Sequence, residues 1–220
     1  MPENRSSSGL LGLALFVFAP LIAVTIFCVI SYNGIIDREE AVVAAWSQVE
    51  SNYQRRADLI PNLVKTVQAY ADNEMLIQTE VAEARTRVAE KLTGLKQASE
   101  SADKAKADGK AITEDEAKMK EFSDAEQQVG QAVVNVLGLG EAYPNLRANE
   151  NFLQLQSQLE GSENRINVAR MNFNAAAEDF NASIRRLPGS LLAGAGNFRR
   201  KAYFAADKGA AKAPDVKFNE

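Results

Sequence analysis

Histidine is absent from this 220-residue chain, and there is a single cysteine, Cys28. No Ser-His-Asp or Cys-His nucleophile, imidazole metal site or Glu-x-x-His di-iron site can be built from such a chain. One cysteine inside an apolar run also excludes an intrachain disulfide and a multi-cysteine metal cluster. An excess of basic charge is missing too. The 25 Lys and Arg against 29 Asp and Glu leave a net charge of -4, which gives no electrostatic reason to expect nucleic acid as a partner. Carboxylate, Lys, Tyr or Ser chemistry survives this filter, but no two acids are spaced convincingly for a cleft. The expectation is a protein with no catalytic residue, no metal and no cofactor.

What is present begins with a membrane segment. No charged residue occurs from Ser6 to Ile36, and Leu10 to Ile30 is almost continuously apolar. A helix of that length rises about 31 Å, enough to cross a hydrocarbon core. A cleaved signal peptide would have an apolar region of about 7–15 residues ending in a small-x-small site. The longer run favours an uncleaved anchor at residues 10–30, after a short tail at 1–9. Pro20 falls mid-span, where a kink is tolerated by neighbouring groups. Arg5 and the terminal amine flank one side, and Arg38 the other. That count favours, by a small margin, a cytoplasmic N-terminus with the remaining chain outside.

After the anchor, apolar residues recur at helical spacing, and no period-2 strand of useful length is found. The expected fold is all-α: one transmembrane helix, then an elongated antiparallel bundle of long helices over 31–187, with a partly docked tail at 188–220. Val42, Trp46, Val49, Tyr53, Ile60, Leu63, Val67, Tyr70, Ile77, Val81, Ala84, Val88 and Leu95 form one track, interrupted by Arg56, Glu74 and Lys91. Pro61 removes a backbone donor where that track is densest and predicts a kink or break, with Ile60 pushed away from the α region. The pattern fades over 96–112, a solvated helix end or loose connection. Thr113 and Glu116 have capping-box spacing. Phe122, Ala125, Val129, Ala132 and Val136 mark the next helix, which should stop at Gly138-Leu139-Gly140. The last helix carries Phe152, Leu159, Ile166, Phe173, Phe180 and Leu187 every seven residues, with Leu155, Ser162, Ala169, Ala176 and Ser183 in the alternate seam. It should run about 50 Å and end at Pro188-Gly189. Beyond it, the tail aromatics Phe198, Tyr203 and Phe204 read as docked on the bundle. The Ala/Lys stretch from Lys208 to Lys212 reads as loose, with Val216 and Phe218 near the end. Arg199, Arg200 and Lys201 read as solvated rather than as a membrane-surface patch.

The candidate residues are architectural. Arg56 falls on an apolar track, and a buried charge needs a partner. Asp58 is too near in sequence to face it. Glu163, one step past the small Ser162, is the proposed mate, fixing the register of the first long helix against the last. Swapping both charges should then restore folding lost in either single swap. The other reading has Arg56 snorkelling to water. Asn149, with Glu150 and Asn151, suits an N-terminal cap, and Pro144 a first helical position. A ligand site around Tyr143 to Phe152 is the sharper alternative. Trp46 at helical spacing reads as core.

Several passages resemble the LemA family of bacterial membrane-anchored proteins. They are AWSQV at 45–49, RRADLIPNL at 55–63, YPNLRANENF at 143–152, ENRINVAR at 163–170 and SIRRLPG at 183–189, in matching order after one N-terminal membrane helix. The similarity runs from Tyr32 to Phe218. It implies a helical bundle in the bacterial cytoplasmic (inner) membrane, with the bulk of the chain in the cytoplasm, against the flanking-charge count. One branch of the family is associated with formation of intracellular magnetic organelles, which implies membrane organisation and brings no activity with it. The expected function is a non-enzymatic scaffold at the lipid bilayer that organises membrane or envelope proteins, with homo-oligomer formation as an extension. The alternative is an adaptor or regulator of a membrane protease or envelope-stress system, with its partner docked near 138–152.

Overall fold

The computed structural model describes residues 5–71, 78–107 and 112–205, apart from the side chains of 5–15, 17 and 102–107. Among the described residues every regular element is helical. They are α1 (Arg5–Ala71), α2 (Gln78–Ala107), a 3-10 turn (Ile112–Glu114), α3 (Glu116–Ala142), α4 (Pro144–Arg147), α5 (Glu150–Ser183) and α6 (Gly189–Ala195). The fold is all-α, as the hydrophobic spacing requires. The chain gathers into two compact units, one of Met1–Ala44 with Ala175–Arg200, the other of Ala45–Asn174 with Lys201–Glu220.

The first unit holds the anchor. Phe18, Leu21, Ile22, Val24, Ile26, Phe27, Val29 and Ile30 are each more than half exposed. At about 25 cal/mol per Å² such a surface is untenable in water, so lipid is its solvent. The Thr25 hydroxyl donates to the Leu21 carbonyl at 2.8 Å, which satisfies it within the helix as hydrocarbon demands. Burial begins past the apolar run, at Ile35 and Val42. Here the end of α5 and the segment after it pack on α1. Phe198 rests on Tyr32 (5.5 Å between ring centroids) and edge-on to Phe180 (6.2 Å), while exposed Arg38 and Asp179 meet at 3.0 Å.

In the second unit an aromatic cluster forms the core. Trp46 meets Phe122 and Phe173 edge-on and lies stacked on Phe204, with Tyr53 edge-on to Phe122 at 5.1 Å. Each such pair contributes about 0.5–1.5 kcal/mol beyond the area it buries. The α1 stripe continues through Val49, Ile60, Leu63 and Val67, and α5 supplies Phe152, Leu159 and Ile166, all buried. Ser162 and Ala169 are buried between these large residues, where their small size admits the neighbouring helix. On α2, which packs against α3, the buried positions are Val81, Val88, Leu95 and Ala98.

Several local expectations give way. Helix α1 is continuous through Pro61, so the break does not occur there. Ile60 and Leu63 are both 0% exposed, and their burial holds the backbone helical across the missing donor, Ile60 included. The cap of α3 is Asp115, not a Thr113–Glu116 box: its carboxylate accepts from the amides of Ala117 and Lys118, and Thr113 is buried in the 3-10 turn. Helix α3 continues through Gly138 and Gly140 to Ala142. Gly140 answers a packing need instead, because a Cβ there would lie 2.6 Å from the Phe152 ring. Helix α5 stops at Ser183, so Leu187 is 77% exposed rather than a sixth heptad position. The faded stretch, by contrast, agrees with one of its two expected forms: it is the end of helix α2, which runs to Ala107. Glu74, Ile77, the Lys208 to Lys212 stretch, Val216 and Phe218 lie outside the described residues.

Phe204 comes from the tail yet is only 6% exposed among Trp46, Phe173 and the Arg170 guanidinium. Phe204→Ala is expected to cost about 3–5 kcal/mol in thermal unfolding of the detergent-solubilised chain. Met171→Ala, at a position 71% exposed, is expected to stay within about 0.5 kcal/mol. Equal losses would contradict the docking.

Candidate functional site

Arg56 follows Val49 and Tyr53 and precedes Ile60 and Leu63 at alternating steps of three and four, so helical geometry turns it inward. It is 4% exposed. Glu126 occupies the equivalent place on α3, four residues after Phe122 and three before Val129, and is also 4% exposed. Glu163 extends from α5 beside Ser162, with its side chain 52% exposed. One nitrogen, Arg56 Nη1, donates to both carboxylates, at 3.2 Å to Glu126 Oε2 and 2.7 Å to Glu163 Oε2. Three helices thus meet at one guanidinium. Gly130, one turn after Glu126, makes room for it, since a Cβ there would lie 2.7 Å from Arg56 Nη2.

The surroundings are mixed in charge. Arg170 donates to the Ser123 hydroxyl at 2.8 Å and sits 4.7 Å above the Phe204 ring, while its Nε and the Tyr53 hydroxyl are buried without a hydrogen-bond partner. A cavity of about 480 Å³ opens beside the cluster, lined by Arg56, Glu126, Gly130, Leu137, Glu163 and Arg170 among others. Burial pushes the Glu126 carboxyl up to about 7; Arg56 pulls it down, and Glu163 adds to the rise. Burial, then the nearby Glu126 charge, also raises the Tyr53 hydroxyl.

Chemically the arrangement suits registration of helices better than turnover. The buried apolar side chains of α5 recur every seven residues, so hydrophobic packing alone tolerates a slip of seven. Charge does not. Such a slip replaces Glu163 by Arg170 or by Gln156, and the same slip of α3 replaces Glu126 by Val133 or Met119. Each alternative takes one of its two carboxylates from Arg56 or sets Arg170 against it, and breaking a buried charge pair is costly, up to about 3–5 kcal/mol where no partner is left.

The structure therefore brings Arg56 and Glu163 together and adds Glu126, one step past the Ala125 that the spacing assigns to the stripe. A signal for it exists in the sequence: an acid on the i, i+4, i+7 line of Phe122 and Val129. The other candidates sit elsewhere. Trp46 belongs to the aromatic core, and Pro61 is exposed on α1. Tyr143 separates α3 from α4 and donates its hydroxyl to Glu80 at 3.3 Å. Asn149 Oδ1 accepts the Phe152 amide at 3.2 Å, capping α5, and Pro144 opens α4. Lys201 departs from the exposed bases beside it, being 5% exposed and within 2.7 Å of Glu114.

A family model for LemA proteins matches residues 45–218, a stretch that contains Arg56, Glu126 and Glu163. The chain belongs to the LemA family. It is similar to the magnetosome proteins MamQ 1 and MamQ 2 of Paramagnetospirillum magneticum, each 30% identical over 175 residues, covering 79% of this chain and 64% of theirs. The magnetosome protein MamQ of Magnetospirillum gryphiswaldense is 29% identical over 186 residues, 84% of this chain and 68% of its own. The matched region thus takes in less than two thirds of the length of the first two relatives.

Because Glu126 shares Arg56, exchanging two charges is not enough. Arg56→Glu with Glu163→Arg restores that pair but leaves the buried Glu126 beside a second carboxyl with no cation, and should recover only part of what Arg56→Glu loses. Adding Glu126→Gln should recover most of the loss of about 3–5 kcal/mol, read by thermal unfolding in detergent. Full recovery in the double variant would show that Glu126 does not contribute. A second expectation concerns pH. The folded chain keeps a proton on Glu126 that the unfolded chain releases near 4.5, so this contribution is complete below 4.5 and lost as pH rises through about 7. No histidine titrates in that window. Stability should fall between pH 5 and 8, by on the order of 3 kcal/mol at full extent, and Glu126→Gln should flatten the curve. An unchanged slope in that variant would contradict the assignment.

Proposed function

We propose that this LemA-family protein is a non-enzymatic membrane scaffold, anchored by residues 10–30, whose helical bundle over 31–187 organises membrane or envelope proteins through self-assembly. The reading rests on the role of the ionisable cluster around buried Arg56. Arg56 donates to both Glu126 and Glu163 and so ties three helices together, rather than standing poised around a substrate. Among the described residues no group of three or more His, Cys, Asp or Glu is placed to hold a metal. The same helix, α1, carries both the apolar span and Arg56. The relatives are magnetosome proteins by name, and that likeness supports a role in membrane organisation.

The cytoplasmic side is the better assignment for the chain after the span. Arg185, Arg186, Arg199 and Arg200 lie in the same compact unit as Arg38 and the anchor. Held in the unit that contains the end of the span, they are drawn to the anionic lipids of the cytoplasmic leaflet, as a juxtamembrane polybasic segment is.

Two experiments test these statements. Gently extracted scaffold should migrate as an assembly several times the 23.9 kDa chain mass. A lone chain that crosslinks to one defined partner would favour the adaptor reading instead. In a Cys28→Ala background, Ser157→Cys on the exposed surface of α5 should react with an impermeant maleimide only after lysis. Labelling of intact cells would place the bundle outside.

A further inference from the structure

The first unit places a basic, leucine-bearing segment at the level where the anchor leaves the hydrocarbon. The apolar run ends at Ile30. Tyr32 and Ile35 follow at about 3 and 8 Å along the helix axis, and the headgroup layer is about 5–8 Å deep on each side of a bilayer. Phe198 packs on Tyr32 at 5.5 Å, and Gly189 sits so close to Ile35 that a Cβ added there would be 3.4 Å from its Cδ1. Both ends of the segment containing α6 are therefore fixed at headgroup depth.

Two observations describe what that segment offers. Leu187 is 77% exposed and Leu191 75%, four residues apart in the chain. From Phe180 to Ala205 there are five basic residues and no acidic one. Lys201 is excluded, being buried against Glu114, which leaves Arg185, Arg186, Arg199 and Arg200, all exposed. Arg38 is engaged by Asp179 and adds little to the patch. Lone exposed leucines and solvated arginines are ordinary on a protein surface. Here they coincide, on a segment pinned beside a membrane exit.

We infer that the segment from Arg185 to Arg200 is a second membrane contact, with Leu187 and Leu191 entering the acyl boundary and the four arginines binding the headgroups of anionic lipids in the bilayer that α1 crosses. Charge complementarity and continuity with the anchor identify the occupant. Arginine suits it, because its planar fork pairs with phosphate oxygens and its stem lies along apolar surface. Exposed leucines flanked by arginines, with no acid between them, combine the two contacts that hold a segment at an anionic membrane surface. The contact restrains how the chain stands on the membrane, which a single span leaves free to rotate and tilt.

The test uses the full chain with Cys28→Ala, reconstituted in nanodiscs of phosphatidylcholine alone or with phosphatidylglycerol added. A small fluorophore is placed at Leu191→Cys, or at Glu178→Cys as a control, beside the Asp179 that meets Arg38 about 12 Å beyond Ile30. Doxyl-labelled lipid should quench position 191 at least threefold more than position 178, and phosphatidylglycerol should strengthen that quenching. Replacing the four arginines by Gln should abolish the lipid dependence, with helical circular dichroism unchanged. Equal quenching at 191 and 178 would overturn the inference, as would quenching at 191 that is the same in both lipids. The comparison of lipids in the unsubstituted chain keeps the test decisive even if the four-Gln variant misfolds.

Discussion

One guanidinium nitrogen shared by two carboxylates is the constraint on which the arrangement of α1, α3 and α5 depends. Arg56, Glu126 and Glu163 do not add much net stability in isolation, since taking charges out of water costs about what their attraction returns. Their contribution is selection among registers. Phe152, Leu159, Ile166 and Phe173 repeat with a period of seven and accept a slide of one heptad. Arg56 accepts only the register that presents Glu163 and Glu126. The small residues beside the cluster serve the same end, with Ser162 buried in the seam of α5 and Gly130 leaving space for the guanidinium.

At the other end of α1 the ordering principle changes from pairing to solvent. Helix faces that would be ruinous in water are left open where lipid covers them, and burial starts at Ile35 as the helix leaves the hydrocarbon. Tyr32, Phe198 and Gly189 then bring the end of α5 and α6 to the same level. A single span gives a protein an address on the membrane but no defined stance; a second contact at headgroup depth supplies one. For a scaffold, stance decides which faces neighbours meet.

Much of this is legible because helical periodicity and hydrophobicity are local signals. The anchor, the all-α class, the α5 heptads and the Asn149 cap each follow from spacing within a few turns. The misses share a cause. Pro61 stays in helix because Ile60 and Leu63 are clamped by distant partners, and Gly140 is where it is because Phe152 approaches it. Neither contact is visible within α1 or α3 alone. Lys201 reads as a third solvated base until the chain return brings it to Glu114. Glu126 is different. Its helical phase is readable, but an acid on an apolar stripe is easily replaced in the reading by the neighbouring Ala125. The inward phase of Arg56 already calls for such an acid on a facing helix.

Glu126 is a buried carboxyl whose charge is held in check by burial and by the Glu163 carboxylate that shares its arginine. Its titration can be followed directly, by carbon-13 NMR of the full chain in micelles labelled at glutamate carboxyls, with Glu126→Gln to assign the signal. The midpoint for Glu126 should lie near 7. A midpoint at the ordinary glutamate value of 4.5 would contradict it.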